Sequence, residues 1–403
     1  MGAGRFVRPP VLLLAALLFL AGIDGFLLLE PLKELGSRPF YILAILPAAW
    51  LATHSGLRLS IAGLAGLLAL VAAATIGYML SGSTLAPFGE KEPSTQFLAH
   101  SFLFLLGFSP LALRIEWQIS QREMVDATRL ALAAHLAFSA LDWMAITTGQ
   151  PRPFEGIFLA AGESRVFPTG LFSEPSYLAA YVAMTLPVCM LTSSVYLLAG
   201  LSAIAGTLFF VGDVRSFFVV YAGSLGTLAV IRWGLGLKTV LATAAVGWLL
   251  YETANSLNLL AVEENLSSAY RLGNTISYAL HAIAHDVLVG DGFGASHFLY
   301  LQLDHPDFML LSTEYSRMLD GTGQRVPVFN LWIRLAVELG VLPTACLLAF
   351  LIRLVFDSKR PAPARVLLAG SLTFTMSTDS YIYGMLTMGI ALALLARARA
   401  NPA

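Results

Sequence analysis

The feature that most limits what this chain can fold into is an almost unbroken succession of apolar runs, each about as long as a bilayer is thick. A spanning helix needs roughly 20 mostly apolar residues. Such runs lie near 9–29, 39–54, 59–80, 96–113, 127–147, 176–192, 195–211, 215–231, 237–253, 329–352, 365–378 and 382–396. Of 403 residues, 57% are hydrophobic and only 12% charged, where a soluble domain carries about a quarter charged residues. The expectation is an all-α integral membrane protein of about twelve spanning helices. It counts as one domain, residues 1–403, because soluble length priors do not hold in lipid. Between 176 and 211 only Thr192-Ser193-Ser194 interrupts the run. As one helix it would extend about 54 Å, against a hydrocarbon core of about 30 Å, so a tight hairpin is expected. The first 22 residues, with Arg5 and Arg8 before an apolar stretch, look like a secretory signal, but the run continues to Leu29 and more follow, so a retained helix is expected.

Orientation follows from the cations. With the N-terminus inside, the inner segments hold Arg5, Arg8, Arg58, Arg114, Arg122, Arg129, Arg232, Lys238, Arg353, Lys359, Arg360, Arg365, Arg397 and Arg399. Both termini are therefore expected in the cytoplasm. Two long segments then face outward, 148–175 and 254–328, and the second is large enough for a small helical subdomain. Within it, Ser267–Ile283 spaces Tyr270, Ile276, Leu280 and Ile283 at helical intervals, with Arg271, Asn274 and His281 elsewhere around the wheel, which reads as an amphipathic helix on the outer membrane surface.

Several function classes fall away. Cys189 and Cys346 both lie in apolar runs, so neither a disulfide framework nor a cysteine metal site is expected. The formal net charge is −1 and no basic block occurs, which gives no footprint for nucleic acid. His281 and His285 are four apart but have no adjacent Glu or third ligand in sequence. Gly290-Asp291-Gly292-Phe293-Gly294 lacks the strand and helix of a dinucleotide loop. No cofactor and no metal are expected. His100 and His135, inside membrane helices, read as packed and hydrogen-bonded.

Polar chemistry concentrates in the outer segments. Glu174 stands at the mouth of the sixth helix, before Pro175 and near Tyr177; it can cap the helix or, if partly buried, accept a proton from a hydroxyl. Arg215 begins the eighth helix, where it can clamp a phosphate or anchor at the interface. Arg165, Arg271, Arg317 and Arg325 also lie outside, where the positive-inside rule supplies no topological reason for arginines. Asn330, Arg334 and Glu338 recur every four residues, so they share one face of a helix that enters the bilayer from outside, and Arg334 with Glu338 reads first as an internal ion pair marking the face that lines a site.

Taken together, these residues have a family look. Arg165 through Ala179, with Gly170, Phe172 and Glu174-Pro175-Ser176-Tyr177, resembles a segment of bacterial Wzy-type O-antigen and exopolysaccharide polymerases. Arg215-Ser216, Tyr270-Arg271-Leu272 followed by Leu288–Gly294, and Asn330–Gly340 ending in Glu-Leu-Gly resemble, in the same order, the core of the wider O-antigen polymerase and ligase superfamily. The resemblance implies a GT-C-like, multi-helix, metal-independent glycosyltransferase of the bacterial inner membrane. Donor and acceptor would be undecaprenyl-pyrophosphate-linked glycans at the periplasmic face, with membrane lipid around it and a chain-length regulator as a further partner. It implies pyrophosphate binding by Arg215 and Arg271, Glu174 as the candidate base, and substrate contacts from Arg165, Tyr177, Asn330, Arg334 and Arg325. Phe329 stands where many ligases carry a histidine, which favours a polymerase. The alternatives are a ligase that passes the glycan to another acceptor, or a transporter or flippase for such lipids.

Overall fold

In a computed structural model the described residues are 9–23, 40–44, 58–82, 85, 92–114, 117–153, 167–172, 174–211, 216–234, 236, 266–306, 328–378, 380–381 and 383–398, and they are mostly helical. Arg165, Arg215, Arg317, Arg325, the whole of the run at 237–253 and much of both outer segments lie outside them. The helices are α1 (Pro9–Gly22), α2 (Phe40–Leu43), α3 (Ile61–Ser81), α4 (Pro93–Phe108), α5 (Gln121–Thr148), α6 (Pro175–Cys189), α7 (Val195–Val211), α8 (Ser216–Trp233), α9 (Leu266–His285), α10 (Ser296–Leu299), α11 (Leu331–Leu339), α12 (Val341–Phe356), α13 (Ala362–Phe374) and α14 (Gly384–Leu395). Among the described residues, four helical stretches are long and apolar enough to cross a bilayer: Ile61–Ser81, Pro93–Ala112, Gln121–Thr148 and Ser216–Trp233. Shorter apolar helices accompany them, and Leu68, Ile76, Met79, Leu98, Phe102, Leu136 and Met144 stand exposed on the helix flanks. That is the pattern of an all-α membrane protein, in which apolar side chains face lipid as well as core.

Helix α6 is the hub. Every residue from Leu178 to Cys189 is buried, and α8, α13, α5 and α1 all pack on it. Ala179, Ala180 and Ala183 let neighbouring backbones approach closely, which is how helices associate without a hydrophobic drive from water. Gly370 of α13 serves the same end, since a Cβ there would lie 2.5 Å from both Met184 Cγ and Ser224 Oγ. Pro187 removes one hydrogen bond near the end of α6, and the helix stops two residues later. The expected hairpin follows, with α7 starting at Val195. Arg129 closes the exposed end of α6 by donating from Nη2 to the Cys189 carbonyl (2.8 Å) and to Thr192 Oγ1 (3.0 Å), and Arg232 donates to the Leu191 carbonyl at 3.2 Å. Cations at a helix C-terminus satisfy its orphan carbonyls and its dipole.

The single helix expected over 329–352 is two helices, broken at Gly340. That glycine has φ +103° and ψ 153°, a region essentially closed to residues with a Cβ. A continuous helix would also have carried Pro343 in its interior, where the ring clashes with the carbonyl four residues back; after the break, Pro343 sits in the first turn of α12. The groups freed by the break are taken up by the segment 286–292. Asp291 N donates to Val337 O (2.8 Å), Gly292 N to Glu338 O (3.1 Å), Val341 N to Asp286 O (2.8 Å) and Leu342 N to Val287 O (3.0 Å). Irregular backbone at membrane depth is tolerated only where protein satisfies it.

Helix α9 forms as expected, but its faces differ from the expected grouping. Tyr270, Asn274, Ser277, Tyr278 and Ala282 are buried, whereas Leu272, Ile276, Leu280 and Ile283 are exposed. Tyr270 therefore belongs to the inward face, where a T-shaped contact with Phe329 holds it.

The helix ends sort into two groups. One end gathers the antiparallel pair Arg58–Leu59 with Leu113–Arg114, the parallel pair Trp117–Ile119 with Ala396–Ala398, and Arg129, Arg232 and Arg360 on helix-terminal carbonyls. The other gathers the start of α4, the ends of α3, α5 and α13, the starts of α6, α8 and α11, and the segment 286–297.

Candidate functional site

At this second end, hydrogen bonds tie together the entrances of three helices. Ser216 Oγ donates to the Ser176 carbonyl at 3.1 Å, which sets the start of α8 beside that of α6. Tyr177 Oη and Thr378 Oγ1 stand 3.5 Å apart, and Leu331 N donates to the Thr375 carbonyl at 2.9 Å, so the end of α13 joins α6 to α11. Each entrance presents the positive end of a helix dipole, although the first N–H groups of α11 are taken up by Asn330 Oδ1 and the Thr375 carbonyl.

Glu174 occupies the N-cap position of α6, yet its side chain makes no cap hydrogen bond. Its carboxylate is exposed and accepts from Ser176 Oγ at 3.1 Å. Tyr177, half-buried, packs edge-on against Phe374. Asn330 caps α11: Oδ1 accepts from Trp332 N (3.0 Å) and Ile333 N (3.2 Å). Just before it, Phe329 has φ +60°, strained for an aromatic residue. It is held there by the Asn330 cap on one side and by Thr275 Oγ1 donating to the Val328 carbonyl (3.0 Å) on the other. The exposed guanidinium of Arg271 lies over the Phe329 ring, 5.0 Å from its centroid, a cation–π contact. Of the expected site residues, Glu174, Tyr177, Asn330 and Arg271 thus belong to one linked set of contacts. Arg215, next in sequence to Ser216, lies outside the described residues together with Arg165 and Arg325.

Arg334 sits one layer deeper and is fully buried. Its Nε donates to Glu338 Oε1 at 3.0 Å, its Nη2 bonds His100 Nδ1 at 2.8 Å, and its guanidinium lies 4.0 Å from the centroid of the Tyr381 ring. A guanidinium only donates, so His100 Nδ1 is the acceptor and its proton is on Nε2, facing Gln96 Oε1 at 3.2 Å. Glu338 Oε1 also accepts from Ser296 Oγ at 2.7 Å, and Tyr278 Oη donates to the Ser296 carbonyl at 2.6 Å. This network seals Arg334 as an internal ion pair and ties α4, α9, α10 and α11 together. His135 is likewise packed, its Nε2 3.0 Å from the Phe19 carbonyl.

Two clusters went unread in the sequence. Asp142, buried in α5, accepts from Arg152 Nε (2.7 Å), from Arg152 Nη2, and from the N–H groups of Thr169 (2.7 Å) and Gly170 (3.1 Å). It thereby fastens both ends of the outer segment 148–175 and fixes the approach to Glu174. A lone carboxylate inside an apolar run was the available signal. The second cluster is His281, Asp286 and Asp291. His281 Nε2 is 3.0 Å from Asp291 Oδ2 and 3.5 Å from Asp286 Oδ2. The Asp291 hydrogen bond, with the charge of both carboxylates, raises the His281 pKa. Burial, reinforced by the charge of Asp291, pushes Asp286 up to about 8.

No protein-family model matches this chain, and no curated protein matches it.

Proposed function

We propose that the chain is a membrane glycosyltransferase that elongates undecaprenyl-pyrophosphate-linked repeat units at the outer face of the bacterial cytoplasmic membrane. The observation that carries the reading is the convergence of the α6, α8 and α11 entrances with an exposed carboxylate, Glu174, and an arginine, Arg271, poised over the strained Phe329. In such a transfer the pyrophosphate leaving group gains negative charge, and the positive ends of helix dipoles together with arginines at helix entrances stabilise it. Arg271 and Arg215 bind the pyrophosphate, Glu174 orients or deprotonates the acceptor hydroxyl, and Tyr177 lines the acceptor side. An apolar groove of about 290 Å³ between α8, α12 and α13, lined by Thr227, Trp332, Leu348 and Phe356 among others, offers a bed for an isoprenoid chain. Phe329 supplies no proton acceptor at the position where ligases carry a histidine, which supports polymerisation over ligation. The reading includes about twelve spans with both termini cytoplasmic, and α9 laid on the outer membrane surface by its exposed Leu272, Ile276, Leu280 and Ile283.

The test is incubation of detergent-purified protein with a lipid-linked repeat unit, read as a ladder of products on a gel. Wild type gives the ladder, and Arg271→Ala or Arg215→Ala loses it at unchanged protein level. A purified wild-type protein that makes no product, or an Arg271→Ala variant with the full ladder, overturns the assignment.

A further inference from the structure

We infer that His281, Asp286 and Asp291 form a site for one divalent transition cation, Zn²⁺ or Mn²⁺, which locks the outer segment onto the broken α11–α12 helix. One ligand atom from each residue lies within 4.8 Å of the others; donors about 2 Å from one ion stand at most about 4 Å apart, so small side-chain rotations close the site around it. The donor set is one imidazole and two carboxylates, which suits Zn²⁺ or Mn²⁺ better than the all-oxygen shells of Ca²⁺ and Mg²⁺.

A second observation points to a ligand. Asp286 is only 3% exposed, and its Oδ2 accepts no hydrogen bond although it faces His281 Nε2 at 3.5 Å. A buried carboxylate oxygen without a donor is costly, and a cation would satisfy it together with its neighbour on Asp291. The backbone that carries these ligands is already fixed. Asp286 O and Asp291 N are bonded to Val341 N and Val337 O across the helix break, and Ser81 Oγ donates to the Asp291 carbonyl at 3.0 Å. The site needs no folding of loose chain to assemble. Bound metal would cross-link the end of α9, the residue after it and the glycine turn. Its role is structural and independent of the transfer chemistry proposed above.

The experiment uses full-length protein in detergent, with any affinity tag removed, stripped with EDTA and desalted. It is then incubated with Zn²⁺ alone, with Mn²⁺ alone or with Mg²⁺ alone, and metal is counted per chain by mass spectrometry. The expected result is one equivalent of Zn²⁺ or Mn²⁺ and none of Mg²⁺, lost in Asp291→Asn and in His281→Ala and kept in His285→Ala. His285, exposed and with its ring centroid 5.0 Å from that of His281, is the control for casual binding by an i, i+4 histidine pair. Binding that disappears in His285→Ala but survives Asp291→Asn overturns the site, as does wild type that retains no metal. Should the variants unfold, zinc-edge X-ray absorption of loaded wild type decides: a shell of oxygen with one imidazole supports the site, and a shell with two imidazoles or with sulfur overturns it. Because metal content is read without glycan substrate, failure here leaves the transferase reading untouched, and the converse holds.

Discussion

Arg334 and Glu338 show how far a buried charge in this molecule depends on its partner. Both side chains are fully buried, so removing one strands the other in a medium that cannot solvate it. Arg334→Met is expected to destabilise the protein by about 3–5 kcal/mol, read as a lowered melting temperature in detergent. The double variant Arg334→Met with Glu338→Leu should recover most of that loss, because no net charge then stays behind; a double variant as unstable as the single one would refute the pairing argument. Asp142 makes the same point for the outer segment. Asp142→Asn keeps the size but loses two acceptor sites to Arg152, Thr169 or Gly170, and is expected to open the 148–175 segment to limited proteolysis while the rest of the chain resists. The sequence allowed the Arg334–Glu338 pair to be read, since residues four apart meet on a helix. It did not allow His100 and Ser296 to be read as their partners, because contacts 234 and 42 residues apart leave no trace in local spacing. Asp142 was legible as an oddity, but its donors lie 10 to 28 residues downstream.

Among the elements, the apolar runs gave helix positions well because in lipid a backbone has few alternatives to hydrogen-bonding within itself. The hairpin between α6 and α7 follows from that argument and from three small polar residues. Length alone misled at 329–352. The local punctuation, Gly340 with Pro343 three residues on, was the better guide, and hydrophobicity averaged across it hid the break. The faces of α9 were misjudged at Tyr270 for a related reason: spacing tells which residues share a side, while only the partner tells which side is inward. At Gly340 the expected cost of an alanine is about 1–3 kcal/mol, since a Cβ would also lie 3.0 Å from the Leu288 backbone. Gly200, in the middle of α7 with open space within 4 Å of where a Cβ would stand, is the matched control; Gly200→Ala should leave the melting temperature unchanged or raise it. Equal losses at both positions would mean that the break is not held by its glycine.

For the whole molecule, the segregation of helix ends agrees with what alternating spans require. Arginines gather on terminal carbonyls at one end, and the exposed Glu174, Arg271 and the two carboxylate clusters gather at the other. On the positive-inside rule the arginine-rich end is expected in the cytoplasm. In a Cys346→Ala background, Gln150→Cys should react with a membrane-impermeant thiol reagent in intact spheroplasts, and Ser358→Cys only after permeabilisation; both positions are exposed. The reverse pattern would invert the protein and put the helix entrances in the cytoplasm, where a periplasmic transferase cannot use them. The seam at Gly340 has a practical corollary for engineering. Residues 286–292 complete the hydrogen bonding of 337–342, so a chimera that swaps the outer segment alone would leave a buried helix with open valences. Donor and recipient must exchange both stretches as one cassette, and relatives that differ in the outer segment should differ in step at the break.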